Sequence, residues 1–216
     1  MASTTLKLST LLTIITSLTT INLQLSTAGD PDILSDFILP PGVANPPDAS
    51  FFTFTAFRST SFRALLQPSN LTTFTAIKAT MAEFPALNGQ SVSLAALRFP
   101  SATANPPHTH PRAAELLFLV SGALEVGVVD TTNKLFTRTL RAGDMFVFPK
   151  GLVHFQYNAW EEAALGFSAF GSANAGLVSL PATLFGTEID DEVLAKGFKT
   201  DVDTVRGLKA GLATKH

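Results

Sequence analysis

The chain contains no cysteine. That excludes disulfides, zinc–thiolate and iron–sulfur sites and every thiol nucleophile, so any metal must be held by nitrogen and oxygen. Charge is sparse too: Asp, Glu, Lys and Arg make up 15% of 216 residues, and the formal net charge is −2. No basic stripe is available for nucleic acid, so that class of partner is excluded. A small anionic substrate has to be drawn in by local charge. Tyrosine and tryptophan occur once each against 18 phenylalanines, and there are four histidines. No Gly-rich phosphate loop and no Ser-His-Asp arrangement is evident.

What is present is apolar. The hydrophobic fraction is 46% and the mean hydropathy is +0.29, ample for the core of one domain. So little charge also implies surface that another subunit covers. Residues 1–28 read as a secretory signal: Lys7 is the sole charge before Asp30, an apolar Thr-rich stretch runs from Leu8 to Leu25, and Ser26-Thr27-Ala28 is a small-residue end. The mature chain then has no membrane span. In a secreted protein Asn70-Leu71-Thr72 is an N-glycosylation acceptor at Asn70.

Residues 29–50 are rich in Pro and Asp and read as an extended arm. From Phe51 the pattern turns to β. Candidate strands are 51–57, 74–79, 92–99, 115–120, 123–129, 135–140, 145–148, 153–157 and 163–170, with turns every eight to twelve residues. Short strands so spaced predict an all-β antiparallel sandwich or barrel over 51–188. The tail, 189–216, changes to helical spacing. Asp190 and Asp201 stand where N-caps belong, and two short helices there serve as a lid or as an oligomer contact.

The chemistry gathers at His108, His110, Glu115 and His154. A His-x-His pair on a strand puts both imidazoles on one face. Pro111 ends that strand, and Glu115 opens the neighbouring antiparallel strand. His154 arrives from a distant strand after Gly151, which lets the chain turn tightly. Three imidazoles and a carboxylate suit a divalent transition metal, with manganese, iron, zinc and copper all open on ligand chemistry. Six-coordination leaves two positions for water or substrate, as a catalytic metal needs.

Around these residues the pattern is His-x-His-x4-Glu-x6-Gly (108, 110, 115, 122), then Gly-x5-Pro-x-Gly-x2-His-x3-Asn (143, 149, 151, 154, 158). The run from Asn105 to Glu115 closely resembles a germin box, and the run from Gly143 to Gln156 resembles the second cupin motif. The start Asp30-Pro31-Asp32, with Asp36-Phe37 after it, is similar to germin N-termini. The chain therefore resembles the plant germin-like proteins of the cupin superfamily over essentially its whole mature length. The resemblance implies a cupin β-jellyroll barrel with a short C-terminal helical extension. It implies homohexamers built as trimers of dimers, secretion to the apoplast and cell wall, glycosylation, and Mn(2+) on His108, His110, Glu115 and His154. It further implies superoxide as substrate, dismutase activity and a role in defence or in the wall. The alternative is a non-catalytic storage, wall or binding protein that the metal stabilises.

Three departures from the family bear on this. A cysteine pair usually staples the arm; here Ile38 stands about where the first would be. Cupins usually have Gly six residues before the first His; here it is Ala102. The oxalate oxidases of the family use a pair of Asn side chains on substrate; Asn105 matches one, and Ala95 stands at the other position. A site that has lost a polar partner binds such a substrate poorly, which argues against oxalate oxidation.

Other residues read as structural. Phe118, Phe146, Phe148 and Phe155 form an apolar box around the metal. Asp144 is a turn residue, Glu161-Glu162 a solvated turn, and Lys196, Lys199, Arg206 and Lys209 a basic helical face that is solvated or buried in an interface. His216 has no role.

Overall fold

A computed structural model describes residues 29–58 and 72–213. The signal segment, Asn70 and His216 lie outside the described residues.

Among the described residues there are ten strands: β1 (Thr75–Ala79), β2 (Ser93–Phe99), β3 (Ala104–Thr109), β4 (Glu115–Ser121), β5 (Ala123–Val129), β6 (Leu135–Arg141), β7 (Met145–Phe148), β8 (Val153–Tyr157), β9 (Ala164–Phe170) and β10 (Val178–Ser179). They form two five-stranded sheets with antiparallel pairings throughout, ordered β1-β2-β9-β4-β7 and β10-β3-β8-β5-β6. This is the expected all-β jellyroll. Side-chain alternation builds its core. On β4, Glu115, Leu117 and Leu119 are buried while Leu116, Phe118 and Val120 are exposed. Leu117 and Leu119 meet Leu97, Phe99, Leu124, Val126 and Phe148 between the sheets.

Turn chemistry fixes the register. Asp130 accepts hydrogen bonds from the backbone N–H of Thr132 and Lys134 and closes the β5–β6 hairpin. Asp144 accepts from Arg141 N, and Gly143 and Gly151 take left-handed φ of 96° and 77°. Three helices follow the barrel: α1 (Leu180–Phe185), α2 (Asp191–Phe198) and α3 (Val202–Leu212). Asp190 and Asp201 cap the last two as expected. Helix α1 is not among the expected elements; Ser179 stands at its N-cap and Pro181 in its first turn, although the Ser179 side chain makes no capping bond.

Some expectations are corrected. Phe51–Phe57 is not a strand. Phe51, Phe52 and Thr53 donate backbone bonds to Asp48, Ala49 and Ser50, a run of turns that Asp48 also caps at Ser50 N. Local turn chemistry overrides the β propensity of the rings, which pack as Phe37–Phe52 and Phe51–Phe52 edge contacts. The basic helical face is partly consumed: Arg206 Nε and Lys209 Nζ lie 3.1 and 2.8 Å from the Asp191 carboxylate and join α3 to α2.

The arm is held without a disulfide. Ser172 Oγ and Ala173 N donate to the Asp30 carboxylate at 2.6 and 2.7 Å, and Asp30 N donates to Ser91 Oγ. Ile33 and Ile38 pack on Gly89, where a Cβ would stand 2.3 Å from the Ile33 methyl.

Candidate metal centre

Strand β3 contains Pro106-Pro107, which cannot donate to a ladder. Its pairing with β8 slips there: Asn105 faces Gln156 and His108 faces His154, so three steps on β3 span two on β8. That bulge shifts the alternation by one, and Asn105 and His108 both line the barrel cavity despite their odd spacing. His110 lies one residue past the end of β3.

Glu115 does not open a strand next to β3. Strand β4 belongs to the other sheet, so Glu115 reaches the histidines from across the barrel. The Arg112-Ala113-Ala114 segment is a crossing between sheets, and alternation along β4 turns Glu115 inward. His154, distant in sequence, is the direct cross-strand partner of His108.

The four side chains are buried, and one potential ligand atom from each lies within 4.8 Å of the others. Each imidazole is oriented by its second nitrogen. Nδ1–H of His108 donates to Pro106 O at 2.7 Å, that of His154 to Leu152 O at 2.8 Å, and that of His110 to Gly176 O at 2.5 Å. A carbonyl only accepts, so each Nδ1 carries a proton and each Nε2 is the nitrogen that faces inward. His110 and His154 Nε2 lie 3.1 Å from Glu115 Oε2, and His108 Nε2 lies 4.0 Å from it.

Protonation states favour an ion. Burial and the neighbouring His154 push His108 down to about 4. Burial raises the Glu115 pKa, but hydrogen bonds from His110, His154 and Ser168 outweigh it and hold the carboxyl at about 2. At neutral pH the cage therefore offers a neutral His108 and an ionised carboxylate. Nitrogen and oxygen donors convergent in this way fit a divalent transition metal.

The cage lies at the wall of a cavity of about 300 Å³, lined also by Phe74, Leu97, Ala95, Asn105 and Phe170. Asn105 thus borders the site, but its Nδ2 donates to Gln156 Oε1 at 2.8 Å and stands 3.4 Å from His108 Nε2. Ala95 is buried and offers only a methyl. The apolar box differs from expectation. Phe148 stacks on His154 at 4.4 Å and Phe146 packs on Phe148. Phe118 is exposed and Phe155 lies over Gly127, because strand alternation sends both away from the cavity. Phe170 takes their place, edge-on to His110 at 4.8 Å.

Two buried polar residues escaped the sequence reading. Ser168 Oγ donates to Glu115 Oε1 at 2.5 Å, and Gln156 Nε2 donates to the same oxygen at 3.2 Å. The available signal was a lone polar residue at an inward position: Ser168 between Phe167 and Ala169, and Gln156 two residues after His154.

The sequence profile of the Cupin family matches residues 64–206. Germin-like protein 9-3 of Oryza sativa subsp. japonica is 60% identical over 205 residues, covering 94% of this chain and 96% of that one. Germin-like protein subfamily 2 member 1 of Arabidopsis thaliana is 37% identical over 223 residues, covering 94% and 97%. Among solved structures, an oxalate oxidase superposes with a TM-score of 0.75 at 32% identity, covering 87% of this chain and all of that one. With its two-sheet jellyroll and its buried cage of three imidazoles and a carboxylate, the chain belongs to the cupin family and, within it, to the germin-like proteins.

Proposed function

We propose that this is a secreted manganese protein of the plant apoplast that disproportionates superoxide. The observation that carries the reading is the cage itself: three carbonyl-anchored imidazoles and one ionised carboxylate converging beside an open cavity. A redox ion held there supplies one-electron exchange, and two superoxide ions with two protons give one O2 and one H2O2. The chain does the rest. His108, His110, Glu115 and His154 hold the ion, the Phe148 and Phe170 rings exclude water from its protein side, and the cavity admits a small anion together with the water that delivers protons.

Oxalate oxidation, the activity named for the superposed structure, fits less well. Asn105 is engaged by Gln156, and Ala95 cannot donate to a substrate carboxylate. A second reading has its own support. The ligands come from both sheets, so an ion would stabilise the barrel even without turnover, as in a storage or wall protein.

Secretion rests on the signal-like segment at residues 1–28 and glycosylation on the Asn70 acceptor; no helix among the described residues is long and apolar enough to cross a membrane. Self-association is supported by the exposed apolar stripe of Leu116, Phe118 and Val120 beside Met145 and Val147, a face that a second copy of the sheet would cover; the hexamer of three dimers is what the family resemblance implies. Light scattering at the mass of one chain would contradict it.

The deciding experiment compares superoxide consumption by manganese-loaded protein, metal-stripped protein and the His154→Ala variant. Turnover confined to the loaded wild type supports the dismutase. Full manganese occupancy without turnover, but with a metal-dependent melting temperature, supports the storage or wall reading instead.

A further inference from the structure

The two oxygens of Glu115 face different company. Oε2 points at the imidazoles, 3.1 Å from Nε2 of both His110 and His154. Oε1 points away from them and receives two protein donors, the hydroxyl of Ser168 at 2.5 Å and the amide of Gln156 at 3.2 Å. Both donors are fully buried. The Gln156 amide is itself oriented, because its Oε1 accepts from Asn105 Nδ2 at 2.8 Å. Ser168 sits in the middle of β9, on the strand between β2 and β4, cross-paired with Ala95 on one side and Leu117 on the other.

We propose that Ser168, supported by Gln156, is a positioning residue that occupies Oε1 of Glu115 so that this carboxylate offers a bound ion a single oxygen, Oε2. The inference rests on the ion-binding reading of the cage and is independent of what the ion does. A carboxylate can clasp a metal with one oxygen or with two. Clasping with two would require Oε1 to surrender a short charge-assisted bond from a fully buried hydroxyl, and that exchange is unfavourable in a buried site. A serine that merely filled space would not need its hydroxyl aimed at the one ligand oxygen that faces away from the cage.

The test uses the mature protein titrated with Mn(2+), with the affinity and the Mn(2+) electron paramagnetic resonance spectrum as readouts. Ser168→Thr keeps the hydroxyl, and Ser168→Val has nearly the same shape without it. Val should weaken Mn(2+) binding by about 10- to 100-fold and change the zero-field splitting, as a second oxygen enters the coordination sphere; Thr should retain both wild-type properties. Equal affinity and identical spectra for Val and Thr would overturn the proposal. Should packing around Ser168 reject both branched side chains, Gln156→Met removes the other donor from a different strand. A spectral change with weaker binding there supports the assignment, and a wild-type spectrum with wild-type affinity overturns it. Failure of the wild type to bind Mn(2+) would instead refute the metal-centre reading.

Discussion

Replacing Ala102 with glycine should stabilise the protein. Ala102 has φ of 56°, in the left-handed region that L-residues avoid. It is the third residue of a turn closed by Thr103 N donating to Pro100 O at 3.3 Å, and positive φ there is the type II signature that calls for glycine. The turn cannot relax to suit alanine. Asn158 Nδ2 donates to the carbonyls of Phe99 and Pro100, and Asn158 N donates to Thr103 O. An L-residue in the left-handed region costs roughly 1–2 kcal/mol, and the greater unfolded-state freedom of glycine gives back about 0.5–1 kcal/mol. The net gain for Ala102→Gly is about 0.5–1 kcal/mol, or roughly 1–4 °C in melting temperature for a chain of this size. Ala102→Val should lose stability, because a branched Cβ suffers more at the same φ. The assay is urea unfolding of metal-stripped protein at fixed concentration, so that neither metal release nor subunit dissociation shifts the midpoint. A lower midpoint for Gly, or no change for Val, would refute the argument.

Metal-stripped protein should lose stability in acid in a defined order. The folded state holds His108 at about 4 against an ordinary 6.5, so the unfolded chain takes that proton first and stability falls as pH drops from 6.5 to about 4, by about 3 kcal/mol. Glu115, held at about 2 against 4.5, extends the loss from pH 4.5 downward; urea midpoints that do not change between pH 7 and 4.5 would contradict this. Gly127→Ala should destabilise by about 1–3 kcal/mol, since a Cβ there would stand 2.4 Å from the Phe155 ring. Thermal melting of Gly127→Ala with and without Phe155→Leu checks the cause, because the smaller side chain should recover most of the loss.

The ligand set was legible because strand alternation and a His-x-His spacing survive any detail of topology. Which sheet held Glu115 was not legible: a five-residue gap from His110 suits a hairpin as well as a crossing, and only the pairing of β4 with β9 and β7 decides it. The double proline was visible, but its effect, a bulge that brings Asn105 and His108 to one cavity, depends on the partner strand β8. Phe118 and Phe155 were assigned to the site by proximity in sequence; the parity of each strand relative to its ligand sends them outward. Asp190 and Asp201 were read correctly because a cap is local chemistry, whereas Phe51–Phe57 was misread because its rings report hydrophobicity and the Asp48-Ala49-Ser50 turns before it dictate the backbone. Ala102 marks the opposite lesson: an alanine stands at this turn, yet the backbone there is left-handed.

The split of the cage between sheets has a mechanical meaning. His108 and His154 are paired on one sheet and Glu115 stands on the other, so an ion between them is a rivet through two plates. A barrel riveted at the level of Val128, His154 and His108, beside the Asp130–Lys134 hairpin, resists shear and peeling there, while the opposite rim, where Ala123 pairs with Arg141, stays free to open. In a chain without cysteine that rivet would be indifferent to thiol reductants and drawn only by chelation or acid, so the durability of the fold would follow local metal supply and pH.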